Sequence, residues 1–149
     1  MPGKFSERLK ASPILCDGAT GTFLYAKGIF INRCYDELNV SQPDLIRSLH
    51  HEYLQAGAEV IETNTFGANS FRLERHSLAD KVQEINVAGA RLAKDAAKSF
   101  DAWVAGSVGP LGIRIEIAGL GNDGSRLQPL TVTAPVHVDR DPTIVYGDF

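Results

Sequence analysis

Short apolar segments that alternate with helical segments are the feature of this sequence that most restricts its fold. PILCDG, AEVIET and AWVAGSVGP read as buried strands, and the segments between them carry apolar residues at helical spacing. Strands that are separated by amphipathic helices pair in parallel through right-handed crossovers. Residues 13–110 therefore predict an α/β fold that is built on a parallel sheet.

Two amphipathic helices are predicted, over residues 42–56 and from residue 80 to about residue 98. Ser41 is the expected N-cap of the first of them. A short leading helix is predicted over residues 5–11, and ATGTFLYAKG reads as one or two helical turns that stop at a glycine. The stretch IFINRCYDELNV reads as a loop.

Polar residues follow each of the three predicted strands. Asp17 and Gly18 end the first strand, Glu62 and its neighbours end the second, and Ser107 ends the third. In parallel α/β folds, ligands bind at the carboxyl-terminal edge of the sheet. The sequence therefore predicts a binding site at this edge.

Composition excludes several classes of partner. The formal net charge of −3 provides no basic surface for DNA or RNA, and no apolar run is long enough to span a bilayer. The N-terminal residues lack the apolar core of a signal peptide, so we expect the cytoplasm. Cys16 and Cys34 have no metal-binding spacing, and in that compartment we expect free thiols.

Four stretches together resemble the homocysteine S-methyltransferase family: LCDGATGT, NRCYDELN, ETNTFGAN and GSVGPLG, in this order. The resemblance implies a (β/α)8 TIM barrel, which typically needs roughly 250 residues. It also implies zinc-dependent methyl transfer from a methyl donor to homocysteine, giving methionine. NRCYDELNVSQPDLI most closely resembles the family members that are fused to a methylenetetrahydrofolate reductase domain.

The same resemblance implies that residues at the strand ends bind substrate. These residues are Asp17, Gly18, Ala19, Glu62, Thr63, Asn64, Phe66 and Ser107. A carboxylate at position 17 suits the ammonium group of homocysteine, although an Asp-Gly pair also makes a simple turn.

The second and third strand ends leave similar alternatives open. Glu62 or Asn64 bonds polar substrate atoms or braces neighbouring loops, and Phe66 is an apolar wall. Thr63 or Thr65 alternatively caps the next helix. The third strand end offers either a hydrogen bond to the substrate carboxylate or a small residue in a tight turn.

Zinc in this family is held by three cysteine thiolates on later strands, and this sequence has none of them. We therefore expect residues 1–115 to be the N-terminal portion of an incomplete barrel, followed by an atypical tail at 116–149. We expect this truncated chain to bind no zinc and to be inactive by itself. The alternative is a non-catalytic assembly module that pairs with a partner chain completing the barrel.

Three remaining features are interpreted structurally. Cys34 is expected to be a structural thiol rather than a catalytic one. His50, His51 and Glu52 do not form the H-E-x-x-H zinc pattern and are expected on a largely solvated helix face. GLGNDG is read as a loop rather than a dinucleotide site, because the residues that follow it lack a helical pattern.

Overall fold

The computed structural model describes residues 4–111 and the backbone of residues 144–145. The helices are α1 Phe5–Ala11, α2 Thr20–Ala26, α3 Leu38–Ser41, α4 Pro43–Gln55, α5 Ser70–Glu74 and α6 Val82–Lys98, with a 3-10 turn at Ala79–Lys81. The strands are β1 Val60–Glu62, β2 Trp103–Ala105 and β3 Ile144–Val145. Across the described part of the chain, no helix combines the length and the apolar character that a membrane span requires.

The three strands form one parallel sheet in the order β1-β2-β3. The parallel α/β prediction is therefore confirmed for this part of the chain. The segment that was predicted as the first strand contributes only a bridge between Cys16 and Val60. This segment lies beside β1, but its Leu15 side chain is 57% exposed. Because its side chains are little buried, packing does not stabilise a longer pairing with β1.

In the C-terminal region, the sequence offers two candidate short strands, TVTAPVHV and TIVYGDF, and the third strand, β3, falls within TIVYGDF. The other candidate, TVTAPVHV, and the GLGNDG stretch lie outside the described residues.

The leading helix and the two amphipathic helices are confirmed, but the start of α4 differs from the prediction. Ser41 is the last residue of α3, which occupies part of the stretch that was read as a loop. Its hydroxyl group donates a hydrogen bond to the Glu37 carboxylate, so it caps no helix. Gln42 is the N-cap residue, and Pro43 opens α4, where a missing N–H costs nothing.

Helices α4 and α6 pack side by side against the sheet. Leu54 of α4, Ile61 of β1 and Ala93 of α6 belong to one buried cluster in which most members are alanines. Small side chains allow a helix to approach a sheet closely. A second cluster joins α2, α3 and α4 around Leu38 and Leu49.

One buried side chain ties α3 to the rest of the chain. The Asn39 amide nitrogen donates to the carbonyl oxygens of Asn64 (2.7 Å) and Ile85 (3.2 Å). Its Oδ1 accepts a hydrogen bond from the Asn64 amide at 3.0 Å. Asn39 is 2% exposed, and a Cβ at Gly89 would lie only 2.6 Å from its nitrogen. This amide pair holds the segment after β1 against α3 and α6.

We predict that Asn39→Ala lowers the free energy of unfolding by about 2 kcal/mol or more, because it leaves buried hydrogen-bonding groups unpaired. Urea unfolding measures the change, and Asn32→Ala, at an exposed position, is the matched control. Equal stability of the two variants would contradict the role assigned to this amide pair.

The burial of His50 corrects another expectation. His50 is 0% exposed, and within the described residues neither of its ring nitrogens has a hydrogen-bond partner. Helical spacing places it on the same face as Ile46 and Leu54, and this face of α4 is buried in the fold. Burial lowers the pKa of His50 to about 4, and His51 adds a smaller contribution in the same direction.

This lowered pKa makes folding sensitive to acid. In the unfolded chain the imidazole titrates near 6.5. The contribution of neutral His50 to the free energy of unfolding is therefore complete above pH 6.5 and is lost as the pH falls towards 4. We predict that the wild-type chain loses about 2 kcal/mol of unfolding free energy between pH 8 and pH 5 through this residue. His50→Leu should remove most of that loss, whereas His76→Gln, at an exposed position, should retain it. Urea titrations at both pH values measure the difference, and an unchanged pH dependence in His50→Leu would refute the assignment.

Candidate functional site

A cleft with a volume of about 860 Å³ lies at the carboxyl-terminal ends of the strands. All eight residues that the sequence predicted as substrate-binding line it: Asp17, Gly18, Ala19, Glu62, Thr63, Asn64, Phe66 and Ser107. The volume falls within the range of small-molecule sites. The structure therefore brings the predicted residues together, and their binding role stays a prediction.

Two carboxylates share the floor of this cleft. The backbone N–H of Glu62 donates to Oδ2 of Asp17 at 2.9 Å. Burial, which the hydrogen bond from the Glu62 N–H partly offsets, and the negative charge of Glu62 together raise the pKa of Asp17 to about 6. The cleft thus holds a carboxylate whose charge is poorly solvated, and a cation would stabilise it.

The ends of β1 and β2 are joined by a chain of hydrogen bonds. The Ser107 N–H donates to Oγ1 of Thr63 (2.9 Å), and Oγ1 of Thr65 donates to the Ser107 carbonyl (2.8 Å). The two threonine hydroxyl oxygens are 2.6 Å apart. Since the single hydroxyl proton of Thr65 goes to Ser107, Thr63 is the donor between them. These threonines therefore connect strand ends.

Asn69 is instead the N-cap residue of α5, and its side chain accepts a hydrogen bond from the Arg72 N–H at 3.0 Å. The expectation that Thr63 or Thr65 caps the next helix is wrong, because both hydroxyl groups are committed to the neighbouring strand end.

The Ser107 hydroxyl donates to the Glu62 carboxylate at 3.0 Å. It therefore orients Glu62 across the gap between β1 and β2. The side chain of Glu62 itself is exposed to the cleft. The geometry therefore gives Ser107 a contact that neither of its two expected roles included, and it leaves Glu62 accessible to a ligand.

The turn after the first strand is closed by an aromatic side chain. Tyr53 donates its hydroxyl proton to the Ala19 carbonyl at 3.2 Å. A Cβ at Gly18 would lie 3.1 Å from the Tyr53 ring, so glycine keeps this contact unstrained. Gly18 and Ala19 thus form the turn while also lining the cleft.

Asn64 braces loops in this structure. Its amide nitrogen donates to the Tyr35 carbonyl (2.7 Å) and to Oδ1 of Asn39 (3.0 Å), which uses both of its N–H groups. Phe66, in contrast, is 53% exposed at the rim of the cleft.

Several residues that line the cleft were missed from sequence. They are the charged residues Arg33, Asp36, Arg72, Arg75 and His76, together with Tyr35 and Gly67. Asp36 accepts a hydrogen bond from the Gly67 N–H at 2.8 Å, and burial raises its pKa. The acid inside NRCYDELN was the available signal, but only the fold brings this loop over the end of β1.

The described residues do not fit a zinc ion. Within 4–111, no group of three or more histidine, cysteine, aspartate or glutamate side chains could hold a metal. Cys34 is half-buried and lines the strand-end cleft, whereas Cys16 is exposed and lines a second, apolar cleft. A structural zinc site needs four ligands, and a catalytic site needs three plus an open position.

Known proteins resemble this chain in sequence and in fold. Residues 14–134 match the family model for homocysteine S-methyltransferase, which continues beyond residue 115, where the recognisable motifs end. Methionine synthases from Mycobacterium tuberculosis (strain ATCC 25618 / H37Rv) and Mycobacterium leprae (strain TN) are 33% and 32% identical over 105 and 115 residues. These alignments cover 63% and 70% of this chain.

Among solved structures, the metallated form of the homocysteine methyltransferase MmuM from Escherichia coli superposes with a TM-score of 0.63 at 28% identity. The match covers 72% of this chain and 42% of that one. The oxidised form of the same enzyme gives a TM-score of 0.65.

The aligned region spans 9% and 10% of the two methionine synthases. The family model nevertheless matches most of the chain, the relatives exceed 30% identity, and the fold agrees. The chain belongs to the homocysteine S-methyltransferase family.

Proposed function

We propose that the strand-end cleft binds homocysteine as part of a site for methyl transfer that gives methionine. The observation that carries this proposal is the pair of carboxylates, Asp17 and Glu62, on the floor of the cleft. An ammonium group placed between them would relieve their mutual repulsion and replace part of the hydration that burial removes. Family membership supports homocysteine as the amino acid concerned.

The residues that line the cleft would have different roles in binding. Asp17 and Glu62 hold the ammonium group, and Ser107 keeps Glu62 in position through its hydroxyl group. Phe66 provides an apolar wall for the methylene groups of the substrate. The Thr63–Thr65 link keeps the two strand ends at a fixed separation, so the carboxylates are oriented before the ligand arrives.

The proposal includes no methyl-transfer step by these residues. Zinc, where the family binds it, converts a thiol into the thiolate that attacks the methyl group. Because the donor set of residues 4–111 does not fit zinc, we propose that this chain binds homocysteine without turnover.

We also propose that the described sheet is the N-terminal portion of an eight-stranded barrel. An apolar cleft of about 860 Å³ supports this proposal, since it runs along β2 and is lined by Phe5, Val60, Trp103 and Val104. Further strands, or a partner chain that supplies them, would cover this surface. We place the protein in the cytoplasm, where Cys16 and Cys34 would remain thiols.

We predict that Asp17→Asn weakens homocysteine binding about tenfold or more in isothermal titration calorimetry at pH 7.5, because it removes a charge that faces the ammonium group. Asp44→Asn, which removes a carboxylate that is 92% exposed outside the cleft, is the control. For the wild-type chain, affinity should fall as the pH drops through about 6, where Asp17 becomes protonated. Homocysteine binding that is equal in the two variants would refute the proposal.

The same variant should be more stable than the wild type. The pKa of Asp17 is higher in the folded chain than in the unfolded chain, so its ionisation destabilises the fold as the pH rises through the interval from about 4 to about 6. Asp17→Asn should therefore raise the unfolding free energy by about 1 kcal/mol at pH 7.5, after a discount for partial exposure, and by much less at pH 4. Weaker binding with higher stability cannot be explained by misfolding.

A turnover assay and a measurement of oligomeric state distinguish the two proposed roles, which are homocysteine binding without turnover and assembly with a partner chain. The chain should form no methionine from homocysteine and a sulfonium methyl donor, and methionine formation would contradict the proposed lack of turnover. Size-exclusion chromatography tests the partner chain. A defined oligomer would favour assembly from copies of this chain, whereas a monomer that binds homocysteine would favour the isolated half-site.

A further inference from the structure

Basic side chains line the same cleft as the two carboxylates. Arg33, Arg72 and Arg75 line it together with His76, and Asp36 is the acidic group that faces Arg72 and His76. One oxygen of that carboxylate already accepts a hydrogen bond from the Gly67 N–H. The lining therefore combines the strand-end carboxylates of Asp17 and Glu62 with three guanidinium groups.

Arg72 is the residue that points to a ligand. Its guanidinium carbon lies 5.5 Å from the centre of the Phe66 ring, which holds the group by a cation–π contact at the rim of the cleft. Its Nη1 atom is buried and has no hydrogen-bond partner among the described residues. A buried N–H group without a partner is unfavourable, and guanidinium groups recognise carboxylates through paired hydrogen bonds.

Further basic side chains line the same cleft. Arg33 is only loosely engaged, with its Nη2 atom 3.7 Å from the half-buried Glu37 carboxylate. Arg75 and His76, at the end of α5 and in the turn that follows it, line the same cleft. Together they make the local potential favourable for an anion.

We propose that the Arg72 end of the cleft is a carboxylate-binding subsite. The inference rests on the proposed function only for the identity of the ligand. The carboxylate belongs either to homocysteine itself, whose ammonium group would then lie at Asp17, or to a second ligand such as a carboxylate-bearing methyl donor. A cleft of about 860 Å³ has room for more than one small amino acid.

Calorimetric titrations of the full chain with three probes test this subsite. L-homocysteine carries the thiol, the amine and the carboxylate, 3-aminopropanethiol lacks the carboxylate, and glutarate carries carboxylates alone. The variants are Arg72→Gln and Arg72→Lys, and the matched control is Arg91→Gln, which removes an exposed arginine of α6 that does not line the cleft. Thermal melting checks that each variant is folded.

Two results would support the subsite and identify its ligand. If Arg72→Gln weakens homocysteine binding tenfold or more and leaves the affinity for 3-aminopropanethiol unchanged, the subsite binds the carboxylate of homocysteine. If it leaves the affinity for homocysteine unchanged and weakens glutarate binding tenfold or more, the subsite binds a second ligand. Arg72→Lys should lose less affinity than Arg72→Gln, because lysine keeps the positive charge but not the paired hydrogen-bonding geometry of a guanidinium group.

Other results would overturn it. The subsite is refuted if the Arg72 variants match Arg91→Gln within twofold for homocysteine and glutarate, or if the wild-type chain binds neither probe. Failure of the proposed function is distinguishable, because a wild-type chain that binds glutarate through Arg72 but does not bind homocysteine retains the subsite and loses the assigned substrate.

Discussion

The reciprocal amide pair of Asn39 and Asn64 is the interaction on which the rest of the site depends. It is buried, it links three elements that are distant in sequence, and it leaves neither amide nitrogen free. A buried polar network is favourable only when its members are satisfied, so this network admits one arrangement of α3, α6 and the segment after β1. The cleft has a defined shape because that arrangement is unique.

Charged side chains of both signs line this cleft. The strand ends place Asp17 and Glu62 together because parallel pairing aligns their backbones, and the cost appears as the raised pKa of Asp17. The loop before α3 and the short helix α5 bring arginines into the same lining. A zwitterionic amino acid carries an ammonium group and a carboxylate on one carbon atom, so a lining with both signs of charge suits such a ligand.

The proposed binding of the amino acid and the chemistry of its sulfur atom make separate demands on the chain. Asp17 and Glu62, which we propose to bind the ammonium group, both lie within residues 4–111. Activation of a thiol requires soft metal ligands, and the two cysteines of the chain line different clefts. In the function that we propose, recognition of the amino acid and activation of its sulfur atom therefore depend on different residues.

The sequence by itself determined the parallel α/β alternation, the two amphipathic helices and the eight residues that gather at the strand ends. Those features depend on local periodicity, on glycines such as Gly57 with its φ of 104°, and on motifs that are contiguous in the chain. Tertiary structure decided the rest. Ser41 lost its expected capping role because α3 forms there, and His50 became buried because its face of α4 packs inside the fold. Arg72 and Asp36 entered the cleft because distant loops converge on the end of β1, and no local pattern encodes that convergence.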